Sequence, residues 1–384
     1  MFRKILCGIA AILILTACSS GDSTASGESG SGDTADTGLN YGKVMPEDAY
    51  QNYEKVAGKS YKHLNMPEVI VPEKFERAYK VDFNLLPPDC DKDKVVKLFK
   101  DFLGDNCLEP ETVGTGGVIV RKIDPKAADE NSVYVGDGSF SDDGFFSLYL
   151  KSRQMQAPED YDESQTKHYR VSTDGGTVIE FAGSDTTVAQ EAGLIEKQLS
   201  DLMGDTFGPY TYGIDEMHIT GFGEIGANGS VRIEGIPLQY IASRYEKKLD
   251  AYTLETDYVA FNYANVNDKN EISNIAGELP NFLGKTEVDG LIPIERAAML
   301  ADNAIKDGTV YEIADVRLMY CALIKYPLRN SEGYYSPEHD TRASIRTLEP
   351  TWCFFIKKDD PLAHEDFIKV NAVTGEVRVL LGQD

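Results

Sequence analysis

The chain has 384 residues, 42% of them apolar, and its 63 acidic against 38 basic side chains give a formal charge of −25. A surface this acidic repels phosphate backbones and opposes a peripheral hold on anionic lipid, so nucleic acid is excluded as a partner. The length exceeds what one hydrophobic core commonly serves, which predicts two or three domains.

The first elements concern location. Arg3 and Lys4 precede the apolar run Ile5 to Leu15, eleven residues long. A membrane-spanning helix needs about 20 apolar residues, so this run has the layout of a secretory signal and not of a permanent span. Leu15-Thr16-Ala17-Cys18 resembles the lipobox of bacterial lipoproteins, in which the cysteine is diacylated and becomes the new N-terminus. The resemblance implies a signal peptide over 1–17 and a lipid on Cys18, holding the protein at the extracytoplasmic face of the cell membrane. Cleavage takes Arg3 and Lys4 from the basic residues and nothing from the acidic ones, leaving a formal charge of −27. Ser19 to Gly38 is almost wholly Ser, Gly, Thr, Ala and Asp. It reads as a flexible tether, within a linker region 18–45, with a root-mean-square reach of about 25 Å.

Beyond the tether, three segments carry helical periodicity. Asp91 to Leu103 places Val95, Leu98, Phe99 and Phe102 on one side, with Gly104 as its stop. Thr187 to Met203 gathers Leu194, Ile195, Leu199 and Leu202, and Thr187-x-x-Gln190 predicts a capping box. Pro293 to Lys306 repeats Ile294, Ala297, Ala298 and Ala301 behind an N-terminal proline. Between them lie short β-branched or aromatic stretches separated by Gly, Asp and Pro, read as strands. Asp174-Gly175-Gly176 and Asn228-Gly229 read as hairpin turns.

The helices start about one hundred residues apart, each followed by a meander. The expected fold class is therefore α+β, two or three tandem modules, each one helix packed on an antiparallel β-meander. The expected division is an N-terminal α+β region 46–205, a middle β-rich region 206–290 and a C-terminal α+β module 291–384. With Cys7 cleaved and Cys18 acylated, Cys90, Cys107, Cys321 and Cys353 remain. They permit two disulfides, most economically Cys90–Cys107 and Cys321–Cys353, or four reduced thiols.

Within residues 292–381, the helix "IPIERAAMLADNAIKDG" and the closing "FIKVNAVTGEVRVL" resemble PepSY-like modules of bacterial exported proteins. Asn371 stands where that family usually has aspartate, and Leu328–Leu348 is an insertion. "LEPTWCFFI" is similar to a strand of membrane-associated regulators of cell-wall sensor kinases in Gram-positive bacteria. The resemblance implies inhibitory or regulatory binding outside the membrane and brings no catalytic residues. Trp352, the single tryptophan, sits among Phe354 and Ile356 and reads as core.

Motifs for chemistry are weak. His63, His168, His218, His339 and His364 are scattered, with no metal-ligand spacing. The stretch Asp137 to Gly144 looks like a calcium loop but has Leu148 where a bidentate glutamate belongs. Ser164-x-x-Lys167, Tyr263-x-Asn265 and Lys285-Thr286 follow the order seen in penicillin-recognising enzymes, yet Ser164 falls in a loop and Glu287 replaces the glycine. No catalytic residue, metal site or cofactor is assigned. The expected function is non-catalytic binding or regulation at the cell envelope, with a protein or peptide partner and a membrane anchor on Cys18. A solute-binding lipoprotein of a transporter and an exported hydrolase are the alternatives.

Overall fold

The computed structural model describes residues 42–84, 89–114, 117–127, 133–141, 144–239, 260–279, 281–305, 308–321, 345–357 and 367–381, with the short segments 11–13, 254–255 and 324–325. Among the described residues no helix is long and apolar enough to cross a membrane. In chain order the main elements are β1 (Tyr79–Asn84), α1 (Lys92–Leu103), β2 (Glu111–Val113), β3 (Gly117–Ile123), β4 (Tyr134–Phe140) and β5 (Phe145–Leu150). Next come β6 (Lys167–Arg170), β7 (Val178–Phe181), β8 (Ser184–Thr187), α2 (Val188–Met203), β9 (Thr211–Ile219) and β10 (Ile225–Ile233). The last are β11 (Ala260–Val266), β12 (Ile272–Glu278), β13 (Asn281–Glu287), α3 (Ile294–Ala304), β14 (Tyr311–Cys321), β15 (Arg346–Ile356), β16 (Phe367–Asn371) and β17 (Val377–Leu381).

The chain divides into two compact units, neither of them contiguous. One comprises 1–72, 289–317 and 351–384, and the other 73–288 and 318–350. The expected division at 205/206 falls inside the larger unit.

The larger unit is built on an antiparallel sheet whose strands run β6, β9, β10, β11, β12, β5, β4, β3, β2 from edge to edge. Its two faces follow the period of two that a pleated strand imposes. One cross-strand row reads Val120, Gly138, Leu148, Ile275, Ala264, Ala227, Met217, and all seven are buried. Helix α1 covers this face. Asp91 caps its start by accepting from the Asp93 N–H at 2.9 Å, and Gly104 ends it at a φ of 74°. Phe99 lies against Gly138 so closely that an added Cβ there would stand 2.5 Å from the ring. Val95, Leu98, Phe102 and Leu103 bury beside it, each contributing about 1.5–3 kcal/mol. Phe207 stacks on the same face, 5.2 Å from Phe140 and 5.5 Å from Phe146. Helix α2 packs on β9, where Glu196 accepts the Ile214 N–H at 2.8 Å.

The smaller unit holds α3, the β16–β17 hairpin and the N-terminal segment from Gly42. Ile292 N–H bonds the Ala372 carbonyl and Ile294 N–H the Ala49 carbonyl, at 2.8 and 2.9 Å. The hairpin turns at Val373-Thr374-Gly375, with Gly375 at φ 79°. Asn371 Oδ1 accepts from the amides of Val373 and Thr374 at 2.8 and 2.9 Å, an acceptor role that asparagine fills as well as aspartate. Trp352 is buried, as its apolar surroundings predict.

The expected fold class is overturned. Among the described residues the protein is mostly β, 43% strand against 21% helix, with a large mixed sheet in place of separate helix-on-meander modules. Parallel neighbours occur beside antiparallel ones, at Leu238 with Tyr320 and at Tyr311 with Leu64. Helices α1 and α2 both belong to the larger unit, and β5 pairs with β12 from far along the chain. Such non-local pairing leaves no mark on local periodicity, so regular helix spacing suggested tandem helix-on-meander modules that the strand pairing overturns.

Candidate clefts flanking a β-hairpin

Two concave features of the larger unit flank β7 and β8. Ala182 and Gly183 join these strands with φ of 49° and 75°, the left-handed pair that a two-residue type I′ turn requires. Thr187 ends β8 and starts α2 in one step. Its hydroxyl accepts the Gln190 N–H at 3.2 Å while Gln190 Oε1 accepts the Thr187 N–H at 3.0 Å, the capping box expected from sequence. The β11–β12 turn docks here too, because Gln198 Nε2 donates to the carbonyl and the Oδ1 of Asn270 at 3.0 and 3.2 Å. Thr220 Oγ1 accepts the Glu224 N–H at 2.9 Å and shapes the β9–β10 turn.

Two clefts result, one on each side of the hairpin and sharing Phe181 and Ala182. The first, about 480 Å³, is lined further by Ser184, Asp185, Thr186, Gln190, Glu191, Leu194 and Asn270. The second, about 510 Å³, is formed by Glu180, Asp268 and the turn Ile219–Gly223. The lining includes the carboxylates of Glu180, Asp185, Glu191 and Asp268 and no Lys, Arg or His.

Glu191 is the unusual member. It occupies the apolar stripe of α2 with Val188, Ala192, Ile195 and Leu199, and it is only 2% exposed. Burial raises its pKa above the ordinary 4.5, with a hydrogen bond from the Asn270 side chain opposing, and its Oε1 has no hydrogen-bond partner among the described residues.

The other face of the sheet carries a polar row in register across eight strands: Arg121, Asp137, Tyr149, Asn274, Asn265, Gly226, His218 and His168. Arg121 bonds Glu111 at 2.5 Å and lies over the Tyr134 ring. Burial raises the Asp137 pKa, while Arg121 pulls it down. His218 is half-buried, and burial first and His168 second lower its pKa.

The remaining sites predicted from sequence fall as follows. Cys18, His339 and His364 lie outside the described residues. Cys90 and Cys107 sit at opposite ends of α1, whose twelve residues span about 18 Å, so the economical Cys90–Cys107 bridge is not formed. Burial pushes both thiols up, which works against thiolate chemistry, and Cys107 donates to the Gly104 carbonyl at 3.0 Å. Cys321 and Cys353 are buried. Ser164 occupies a short turn capped by Asp162 while Lys167 opens β6, so the two do not share a helix face. Asp137 and Leu148 are strand residues of β4 and β5. Among the described residues no group of three or more His, Cys, Asp or Glu could hold a metal ion. Sequence reasoning missed the clefts. The available signal was Glu191, a carboxylate on the core side of an amphipathic helix.

No protein-family profile matches the chain, and no curated protein matches it. Among solved structures it is similar to an uncharacterized protein from Eubacterium rectale ATCC 33656, at 9% identity and a TM-score of 0.40, over 82% of this chain and 89% of that one.

Proposed function

We propose that the chain is a non-catalytic binding protein tethered through a lipid on Cys18 to the extracytoplasmic face of the cell membrane. Its partner, on this reading, is a basic segment of an envelope protein or peptide laid across the β7–β8 hairpin. One observation carries the proposal: two clefts on either side of one hairpin, with four carboxylates and no basic residue in their lining. Each is large enough for one or two long side chains, since pockets of about 300–1,000 Å³ hold drug-sized ligands. Lysine and arginine suit them, because their stems can cover Phe181 and Leu194 while their charges meet carboxylates. The net charge of −27 that remains after loss of residues 1–17 steers a cationic partner from a distance. The PepSY-like resemblance of residues 292–381 and the tether Ser19–Gly38 agree with regulatory binding at a membrane surface.

The test is fluorescence anisotropy of labelled lysine- and arginine-rich peptides, with glutamate-substituted counterparts, at about 0.02 and about 0.2 M salt. Binding of the basic peptides alone, weakened by salt and weakened about tenfold in an Asp185→Asn/Asp268→Asn variant, supports the reading. Equal affinity in the variant overturns it. The anchor has its own test: Cys18→Ser should move the protein from the membrane fraction to the soluble one.

A further inference from the structure

We propose that His168 and His218 form a bidentate site for a divalent transition-metal ion of the zinc or copper class, with water completing the coordination. The two histidines are direct cross-strand partners on β6 and β9, so their side chains leave the same face of the sheet from adjacent strands. Their ring centres are 5.9 Å apart, with the planes inclined by 34°. Two imidazoles bound to one tetrahedral ion at about 2.0–2.1 Å place their centres about 5 Å apart. The ring centres are therefore about 1 Å further apart than in such a complex, and χ rotation that turns a nitrogen of each ring towards the ion closes the gap with both strands held in register.

The residue opposite His218 on its other side, on β10, is Gly226, and the His218 Cε1 and Nε2 lie within 2.0 Å of where a Cβ at that position would stand. The glycine leaves room for the ring to lean over β10, and to share an ion with His168 it swings back across β9. His168 is exposed, which leaves the ion an open approach from solvent. The nearest carboxylate on the same face of β9, Glu216, is engaged by Arg170 at 3.3 Å. Imidazole selects zinc, copper or nickel over magnesium or calcium, which prefer oxygen. This site is separate from the hairpin clefts, and its proposal does not depend on theirs.

The experiment is a titration of the untagged full chain, stripped with chelator, with zinc alone, read by calorimetry and by NMR of the histidine ring protons. The expected result is one zinc per chain at micromolar concentration, with the rings of His168 and His218 perturbed. His168→Ala and His218→Asn should each weaken binding about tenfold or more, and the double variant should be little worse than either single. The exposed His168 makes His168→Ala decisive even where the His218 variant folds poorly. Zinc affinity unchanged in His168→Ala, or no binding below millimolar zinc, overturns the proposal.

Discussion

The indole of Trp352 donates its Nε1–H to the carbonyl of Ile292 at 2.7 Å, and the Tyr50 ring meets it edge-on with centroids 4.9 Å apart. A fully buried tryptophan tied to Ile292, two residues before α3 starts, fixes how that helix begins. Trp352→Phe keeps the apolar ring and strands the carbonyl, at a cost of about 1–3 kcal/mol. Circular dichroism during urea denaturation checks this. As the single tryptophan, Trp352 also makes wild-type tryptophan emission, excited where tyrosine does not absorb, a report on the smaller unit.

Two glycines should respond in opposite directions. Gly138→Ala drives a methyl group into Phe99, whose Cγ and Cβ stand 2.5 and 2.8 Å from the added atom, and should cost about 1–3 kcal/mol. Gly193 lies within α2 with nothing within 4 Å of an added Cβ. Gly193→Ala should therefore stabilise by about 0.5–1 kcal/mol through helix propensity. Urea midpoints of the two variants against wild type decide both.

Lys369 is buried in β16, 1% exposed, and its Nζ has no hydrogen-bond partner among the described residues. The ammonium lies 4.8 Å from the centre of the Phe367 ring, a contact weaker than the hydration given up. Lys369→Met has nearly the same shape and should raise stability by about 1–3 kcal/mol, read as a shift in thermal midpoint.

Glu191 should make stability depend on pH with a defined sign. Its folded-state pKa lies above the ordinary 4.5, so the native protein holds a proton that the unfolded chain releases. Stability then falls as pH rises from about 4.5 through the folded value, and the penalty is complete above it. Glu191→Gln removes that contribution. The variant should exceed wild type at neutral pH, and the difference should shrink as the medium is acidified to about pH 4.5 and below. Urea titrations at a series of pH values measure the gap.

Local signals in the sequence were readable where local physics decides. The Thr187–Gln190 box, the Gly104 stop and the Val373-Thr374-Gly375 turn stand as their residues predict. Asn228-Gly229 misled because the dipeptide serves two purposes. Here it lies within β10, at a bulge opposite Ile214 and Glu216, where a Cβ at position 229 would collide with the Gly213 carbonyl oxygen. The glycine is needed for close backbone approach and not for a turn. Asp174-Gly175-Gly176 likewise closes a short helix, Val171–Asp174, and β7 turns back only at Ala182-Gly183. Alanine at positive φ is rare enough to hide that turn. The clefts were illegible because Ile219–Gly223, Asp268 and Asn270 reach the β7–β8 hairpin from distant turns, and the histidine pair because β6 and β9 meet across about fifty residues.

The smaller unit is assembled from three stretches of chain, and the contacts that close it span most of the sequence. His63 N–H meets the Asp302 carboxylate at 2.6 Å across 239 residues, and Val44 exchanges backbone hydrogen bonds with Leu291. A chain delivered N-terminus first presents residues 42–72 early and leaves them without partners until 289–317 and 351–381 arrive. The whole of 73–288 can gather its own sheet in the interval. The segment Gly42 to Pro72 is thus among the first to emerge and the last to find its place, so truncation near the C-terminus leaves the other end of the chain unfinished.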